Sequence, residues 1–209
     1  MNTKEVIRKE IWALLQKHKV ARFPGAEGRI PNFIGAEACA KQLAETTYWK
    51  AAKVLKINPD SPQRAIRHRA LAEGKIIYMA VPRLRSDKPF IELDPKKLKC
   101  SPYVASSIKG AGQHGQPIGI AKLRTVDLVV CGSVAVNRRG ARVGKGGGYS
   151  DLEFALLTEQ KKIAANTPIV TPDEVIEIKS KFPRPKGIYW NLLPQEKIAD
   201  IPVLHKRSG

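Results

Sequence analysis

At 209 residues the chain can bury a core of its own without disulfide or metal staples, and its 43% hydrophobic content excludes wholesale disorder. No run approaches the roughly 18 apolar residues of a membrane span. The segment Met1 to Glu10 alternates charge with apolar positions and lacks the apolar stretch of a secretion signal, so a cytoplasmic protein with no membrane partner is expected. Thirty-seven Lys and Arg against nineteen Asp and Glu give a net charge of +18. That field attracts phosphates, nucleotides or RNA, and is equally compatible with a surface kept soluble by charge. Cys39, Cys100 and Cys131 are widely spaced with no C-x-x-C pair, which favours reduced thiols packed as small hydrophobes over disulfides or a metal site.

In chain order, Thr3 to Lys17 reads as an amphipathic helix with Val6, Ile7, Ile11, Leu14 and Leu15 on one stripe and Lys4 and Arg8 on another face. Arg22 to Asn32, with Pro24, Gly25, Gly28 and Pro31, is a loop. Gly35 to Thr46 returns to helical spacing. Ser61-Pro62 starts a helix that runs to Glu73 and stops at Gly74. The period then changes: Lys75 to Pro82, Phe90 to Leu93 and Val126 to Cys131 are strands, and Val134 to Val136 follows directly. Asp151 to Lys161 is helical, and Pro168 to Val170 and Val175 to Ile178 are short strands. The alternation predicts a mostly parallel sheet covered by helices, in a single domain whose helical region 1–60 packs on an α/β core 61–209.

The chemistry concentrates in the run Arg142-Val143-Gly144-Lys145-Gly146-Gly147-Gly148-Tyr149-Ser150-Asp151. Glycines let the chain turn with positive φ and present backbone N–H groups at close range, and a helix starting there adds its free N–H groups and dipole. Arg142 and Lys145 bring positive charge, and Asp151 offers a carboxylate for Mg2+ beside phosphate oxygens. The run is neither a Walker A loop nor a Rossmann G-x-G-x-x-G. A flexible hairpin, or a tight turn packing a helix on a sheet, would also use glycines; the Arg, the Lys and the following helix favour a phosphate cradle.

The stretch Val134 to Asp151 resembles the signature of the 5-formyltetrahydrofolate cyclo-ligase, or methenyltetrahydrofolate synthetase, family. Arg29 to Phe33 with Gly35, Pro82 to Arg85, Val126 to Val136, Asp151 to Phe154 and Gly187 to Trp190 extend the likeness toward a divergent branch of methenyltetrahydrofolate synthetase domain-containing proteins. The resemblance implies a three-layer αβα sandwich, of the kind shared with sugar-phosphate isomerases and CoA transferases. It implies ATP and Mg2+ as cofactors and a reduced folate as substrate. ATP would phosphorylate the formyl oxygen of 5-formyltetrahydrofolate, and ring closure with loss of phosphate would give the methenyl form. By the same resemblance Arg142 and Lys145 carry the reaction, while Gly144, Gly146, Gly147, Gly148 and Tyr149 cradle the nucleotide. Lys4 and Arg8 reach it from the first helix, and Asp151 holds the metal.

Two departures stand out. In cyclo-ligases the helix before the Lys75–Pro82 strand carries a folate-binding Glu, whereas here Arg64, Arg67 and His68 occupy its polar face and no carboxylate appears until Glu73. Arg cannot accept the hydrogen bonds a carboxylate accepts. His68 is either a base or a surface residue. The chain also passes directly from Val170 to Thr171-Pro172, where the family has a further loop and strand with a His-Asp pair. Gly110 to Gly115 is a substrate-covering loop or a plain surface connection; Trp12 and Trp49 belong to the core, and Trp190 lines a pocket or packs. The leading expectation is an ATP- and Mg2+-dependent cyclo-ligase. The alternative is a non-catalytic nucleotide- or RNA-binding relative that keeps the loop, with RNA held through the basic surface.

Overall fold

The computed structural model describes residues 3–170 and 184–207. The strand expected at Val175–Ile178, the join at Thr171-Pro172 and the basic residues Lys179 and Lys181 lie outside them. The chain opens with α1 (Thr3–Lys17), α2 (Ala36–Glu45) and α3 (Thr47–Ala51), then enters strand β1 (Val54–Ile57). A 3-10 turn at Ser61–Gln63 leads into α4 (Arg64–Ala72), followed by β2 (Ile76–Ala80) and β3 (Phe90–Leu93). The short helices α5 (Pro102–Ala105) and α6 (Ile108–His114) precede β4 (Gln116–Ile118). Then come β5 (Leu128–Val130), the hairpin β6 (Ala135–Val136) and β7 (Arg142–Val143), α7 (Tyr149–Glu159) and β8 (Ile169–Val170). Two short helices, α8 (Gln195–Asp200) and α9 (Pro202–His205), follow.

Six strands form one sheet in the order β4-β3-β2-β1-β5-β8; β2, β1, β5 and β8 pair in parallel, and β3 alone runs the other way, antiparallel to both β2 and β4. Side chains alternate across it as the strand period requires. Leu55, Ile57, Ile77, Met79, Leu128 and Val130 pack on α2, α4 and the α5–α6 pair. Val54, Tyr78, Val129 and Cys131 face the other way, onto Leu152, Leu156 and Leu157 of α7 and Ile198, Ile201 and Leu204 of α8 and α9. This is the expected three-layer αβα arrangement with a mostly parallel sheet. Helix α1 lies outside both layers, with Trp12 packing on Ala26, Ile30 and Val134.

Strand β1 sits in the middle of the sheet, although its residues fall within the region expected to be helical. Two other expectations change. Arg67 is not on a polar face: it is 1% exposed, and its guanidinium donates to the carbonyls of Ser106, Asn58 and Asp60. Burial lowers its pKa to about 10, which still leaves it charged at neutral pH. The Gly110–Gly115 segment is mostly helix rather than loop: Ser107 caps α6 by accepting from the Gly110 N–H at 2.9 Å. A Cβ on Gly110 would stand 2.0 Å from the Val104 carbonyl oxygen, so close backbone approach explains that glycine.

Candidate functional site

Chain connections diverge at the carboxyl ends of β1 and β5. From β1 the chain passes through α4 to β2 on one side, and from β5 through α7 to β8 on the other. A crevice outside such a switch point is where open α/β sheets bind ligands. Here it is walled by Asn58 to Asp60 after β1 and by Cys131 to Ser133 after β5.

The glycine-rich run folds over this crevice. The β6–β7 hairpin delivers Arg142 and Val143, then Gly144 to Gly148 turn into α7, which begins at Tyr149, two residues before the position expected from the pattern. Gly146 at φ 110° and Gly148 at φ 68° occupy the left-handed region that side chains disfavour, as the turn requires. Ser150 in the first turn of α7 accepts from Asn58 Nδ2 at 2.8 Å, and Asn58 Oδ1 accepts from Lys56 Nζ at 2.8 Å. Lys56 is also ion-paired with Glu153 of α7; both are buried. A polar chain from the central strand thus fixes the helix that starts at the loop.

Most of the expected site residues come together here. Arg8 Nε donates to the Gly144 carbonyl at 2.7 Å while its Nη1 pairs with Glu5 at 2.6 Å, which brings α1 against the loop. Lys4 lies one turn earlier on α1 and is exposed. Lys145 Nζ is 3.2 Å from Asp60 Oδ1, and Arg142 Nη2 is 3.6 Å from Asp151 Oδ1. Gly147 and Tyr149 meet Lys197, whose ammonium donates to the Gly147 carbonyl and stands 4.8 Å from the Tyr149 ring centre. Asp60 and Lys197 carry no signal in their own sequence context. Asp60 could have been flagged only as the acid preceding the Ser61-Pro62 helix start, and Lys197 lies 50 residues beyond its partner.

Among the described residues no group of three or more His, Cys, Asp or Glu side chains gathers as a metal cage. Mg2+ is commonly held by one or two carboxylates with phosphate oxygens, so the exposed Asp151 beside the loop fits that mode.

A second cleft, of about 510 Å3, opens next to Asp60 between the 23–37 segment, the start of α4 and the α5–α6 pair. Phe23, 92% exposed, and Tyr103 lie along it. Arg64 stacks 4.4 Å from the Tyr103 ring centre, and His68 meets the same ring edge-on at 5.6 Å. The carboxylate lining the cleft, Glu37, is already paired with Arg22 at 3.1 Å. Pro59 and Ser61, on either side of Asp60, line the cleft, so Asp60 stands where cleft and glycine loop meet. Trp190, in contrast, packs on the core cluster beneath α7.

A mostly parallel sheet with a glycine loop entering a helix at its switch point defines an α/β protein of the kind that takes ligands at the carboxyl ends of its strands. Comparison makes this particular: residues 1–183 match the model of the 5-formyltetrahydrofolate cyclo-ligase family, and the chain belongs to that family. It is similar to the methenyltetrahydrofolate synthase domain-containing proteins of Mus musculus (33% identical over 97% of this chain and 62% of that protein), Danio rerio (34%, 98% and 61%) and Homo sapiens (30%, 97% and 60%). The chain spans about three-fifths of the length of these curated relatives. The matched spans of 232 to 235 residues exceed the chain's own 209, so the relatives carry segments this chain lacks. No helix among the described residues is long and apolar enough to cross a membrane.

Proposed function

We propose that the protein binds MgATP at the Arg142–Asp151 loop and uses it to activate a formyl or similar oxygen on a ring-bearing, one-carbon substrate held in the adjoining cleft, 5-formyltetrahydrofolate being the first to test. The observation that carries this reading is the junction at Asp60. It joins a cationic glycine loop to an aromatic cleft large enough for a flat ligand.

Each residue then has a physical task. Arg8, Arg142 and Lys145 offset phosphate charge, and the N–H groups at the start of α7 donate to an anion. Phosphoryl transfer needs little beyond such positioning and charge neutralisation. Asp151 would hold Mg2+, which screens the phosphate oxygens. ATP supplies the phosphoryl group that turns the substrate oxygen into a leaving group. A phosphate arriving at the loop competes with Asp60 for Lys145, which leaves the Asp60 carboxylate without its ammonium partner at the edge of the cleft. Tyr103 and Phe23 offer ring faces, and Arg64 and His68 offer donors.

The second reading, a nucleotide-binding relative without turnover, draws on one observation: the cleft presents Arg64 and His68 while Glu37 is engaged by Arg22. Incubation of 5-formyltetrahydrofolate with MgATP and the protein, followed by the absorbance of the methenyl product, separates the two. Turnover that Lys145→Met abolishes supports the enzyme; MgATP binding without turnover supports the relative.

A further inference from the structure

The match to the family model ends at residue 183, and the chain beyond it returns to the phosphate loop. We propose that Lys197, on α8, is a positioning residue of the nucleotide site, setting the Gly147–Gly148 peptide so that the loop's N–H groups face the phosphates. The inference rests on the MgATP reading above.

Three observations converge. The Lys197 ammonium takes the Gly147 carbonyl as its acceptor. It lies over the Tyr149 ring, and a Cβ on Gly148 would be 3.4 Å from its nitrogen, so it packs directly on the left-handed turn. Holding the Gly147 carbonyl fixes the orientation of the whole planar peptide, and hence the direction of the Gly148 N–H.

The lysine is not needed to hold its own segment down. Ile198, Ile201 and Leu204 already bury α8 and α9 against α7. Arg207 pairs with Glu159 at 2.7 Å, Lys206 with Asp87 at 2.8 Å, and Asp200 with Arg85 at 3.8 Å. The electrostatics also point to an anion. A cation at a helix N-terminus opposes the helix dipole, and Lys197 joins Arg8, Arg142 and Lys145 around the first turn of α7. Arg8, Lys145 and Arg142 are met by Glu5, Asp60 and Asp151, and a polyphosphate would add negative charge for Lys197 as well.

The test is isothermal titration of the full chain with MgATP, alongside thermal unfolding. Lys197→Met keeps the length of the side chain and removes the charge; its affinity is expected to fall about tenfold, the scale of one hydrogen bond to a charged group. Lys197→Arg is expected to recover most of that loss. Arg207→Met, which removes the 2.7 Å pair with Glu159 and weakens the segment's attachment without touching the loop, is expected to bind as the wild type does. Unchanged affinity in Lys197→Met overturns the inference while the nucleotide reading stands. An equal loss in Arg207→Met overturns it by assigning the effect to attachment of the segment. A wild-type chain that does not bind MgATP removes both.

Discussion

The ion pair between Lys56 and Glu153 joins the central strand to the helix that follows the glycine loop, and removing one partner measures how much that seat depends on charge. Both residues are buried, at 1% and 4% exposure, on the face of the sheet otherwise formed by Val54, Tyr78 and Val129. Glu153 Oε2 has no hydrogen-bond partner beyond this pair. Lys56→Met therefore strands a buried carboxylate, at a cost of about 3–5 kcal/mol. In a domain of this size, about 2–4 °C is lost per kcal/mol, so the melting temperature should fall by about 6–20 °C. Adding Glu153→Leu removes the stranded charge and should return most of the loss. A residue of about 1 kcal/mol should remain, because Asn58 Oδ1 still lacks the donor that Lys56 supplied. Urea unfolding of the wild type, both single variants and the double variant gives the coupling energy directly. A double variant as unstable as the sum of the two single losses would refute the argument, since the two charges would then contribute independently.

Two further outcomes follow from contacts elsewhere. Arg8→Met removes the donor to the Gly144 carbonyl and one loop cation; MgATP affinity is expected to fall at least about tenfold with a small change in thermal stability, and titration calorimetry compares the two. Tyr78 is buried beside Glu92, and burial, the larger cause, raises its pKa above 10. Above pH 10 the unfolded chain loses a proton that the folded chain keeps, so stability falls with rising pH, by at most about 1.4 kcal/mol per pH unit for this group. Tyr78→Phe should make the decline in unfolding free energy between pH 10 and 11 shallower; an unchanged slope counts against the raised phenol.

Local pattern revealed the elements whose reasons for forming are local. Strands β2, β3 and β5 are apolar runs, Gly74 ends α4 at φ 78°, and Ser61-Pro62 opens its first turn. Strand β1 was hidden because Lys56 interrupts its four residues, and a buried lysine is sensible only once Glu153 arrives from far along the chain. Strand β4 contains Pro117, which reads as a breaker but is tolerated on an edge strand, the place β4 occupies. The misreading of Arg67 has the same origin: helical spacing places it on α4, but the carbonyls that surround it belong to residues 58, 60 and 106.

The glycine loop was legible for the opposite reason, since glycines, neighbouring cations and a helix start are all contiguous in sequence. What contiguity hides is its control. Arg8, Asp60 and Lys197 come from α1, the end of β1 and α8, and each engages a different part of the loop. Asp60 also alters the meaning of the missing glutamate on α4. The helix brings arginines to the cleft, yet a carboxylate stands immediately before it, held by Lys145. Under the MgATP reading, a phosphate that drew Lys145 away would leave that carboxylate without its ammonium at the edge of the cleft, so the two sites would be coupled by one shared lysine. Coupling of this kind would be reciprocal: a cleft ligand that engaged Asp60 would tighten nucleotide binding by the factor with which nucleotide tightened its own.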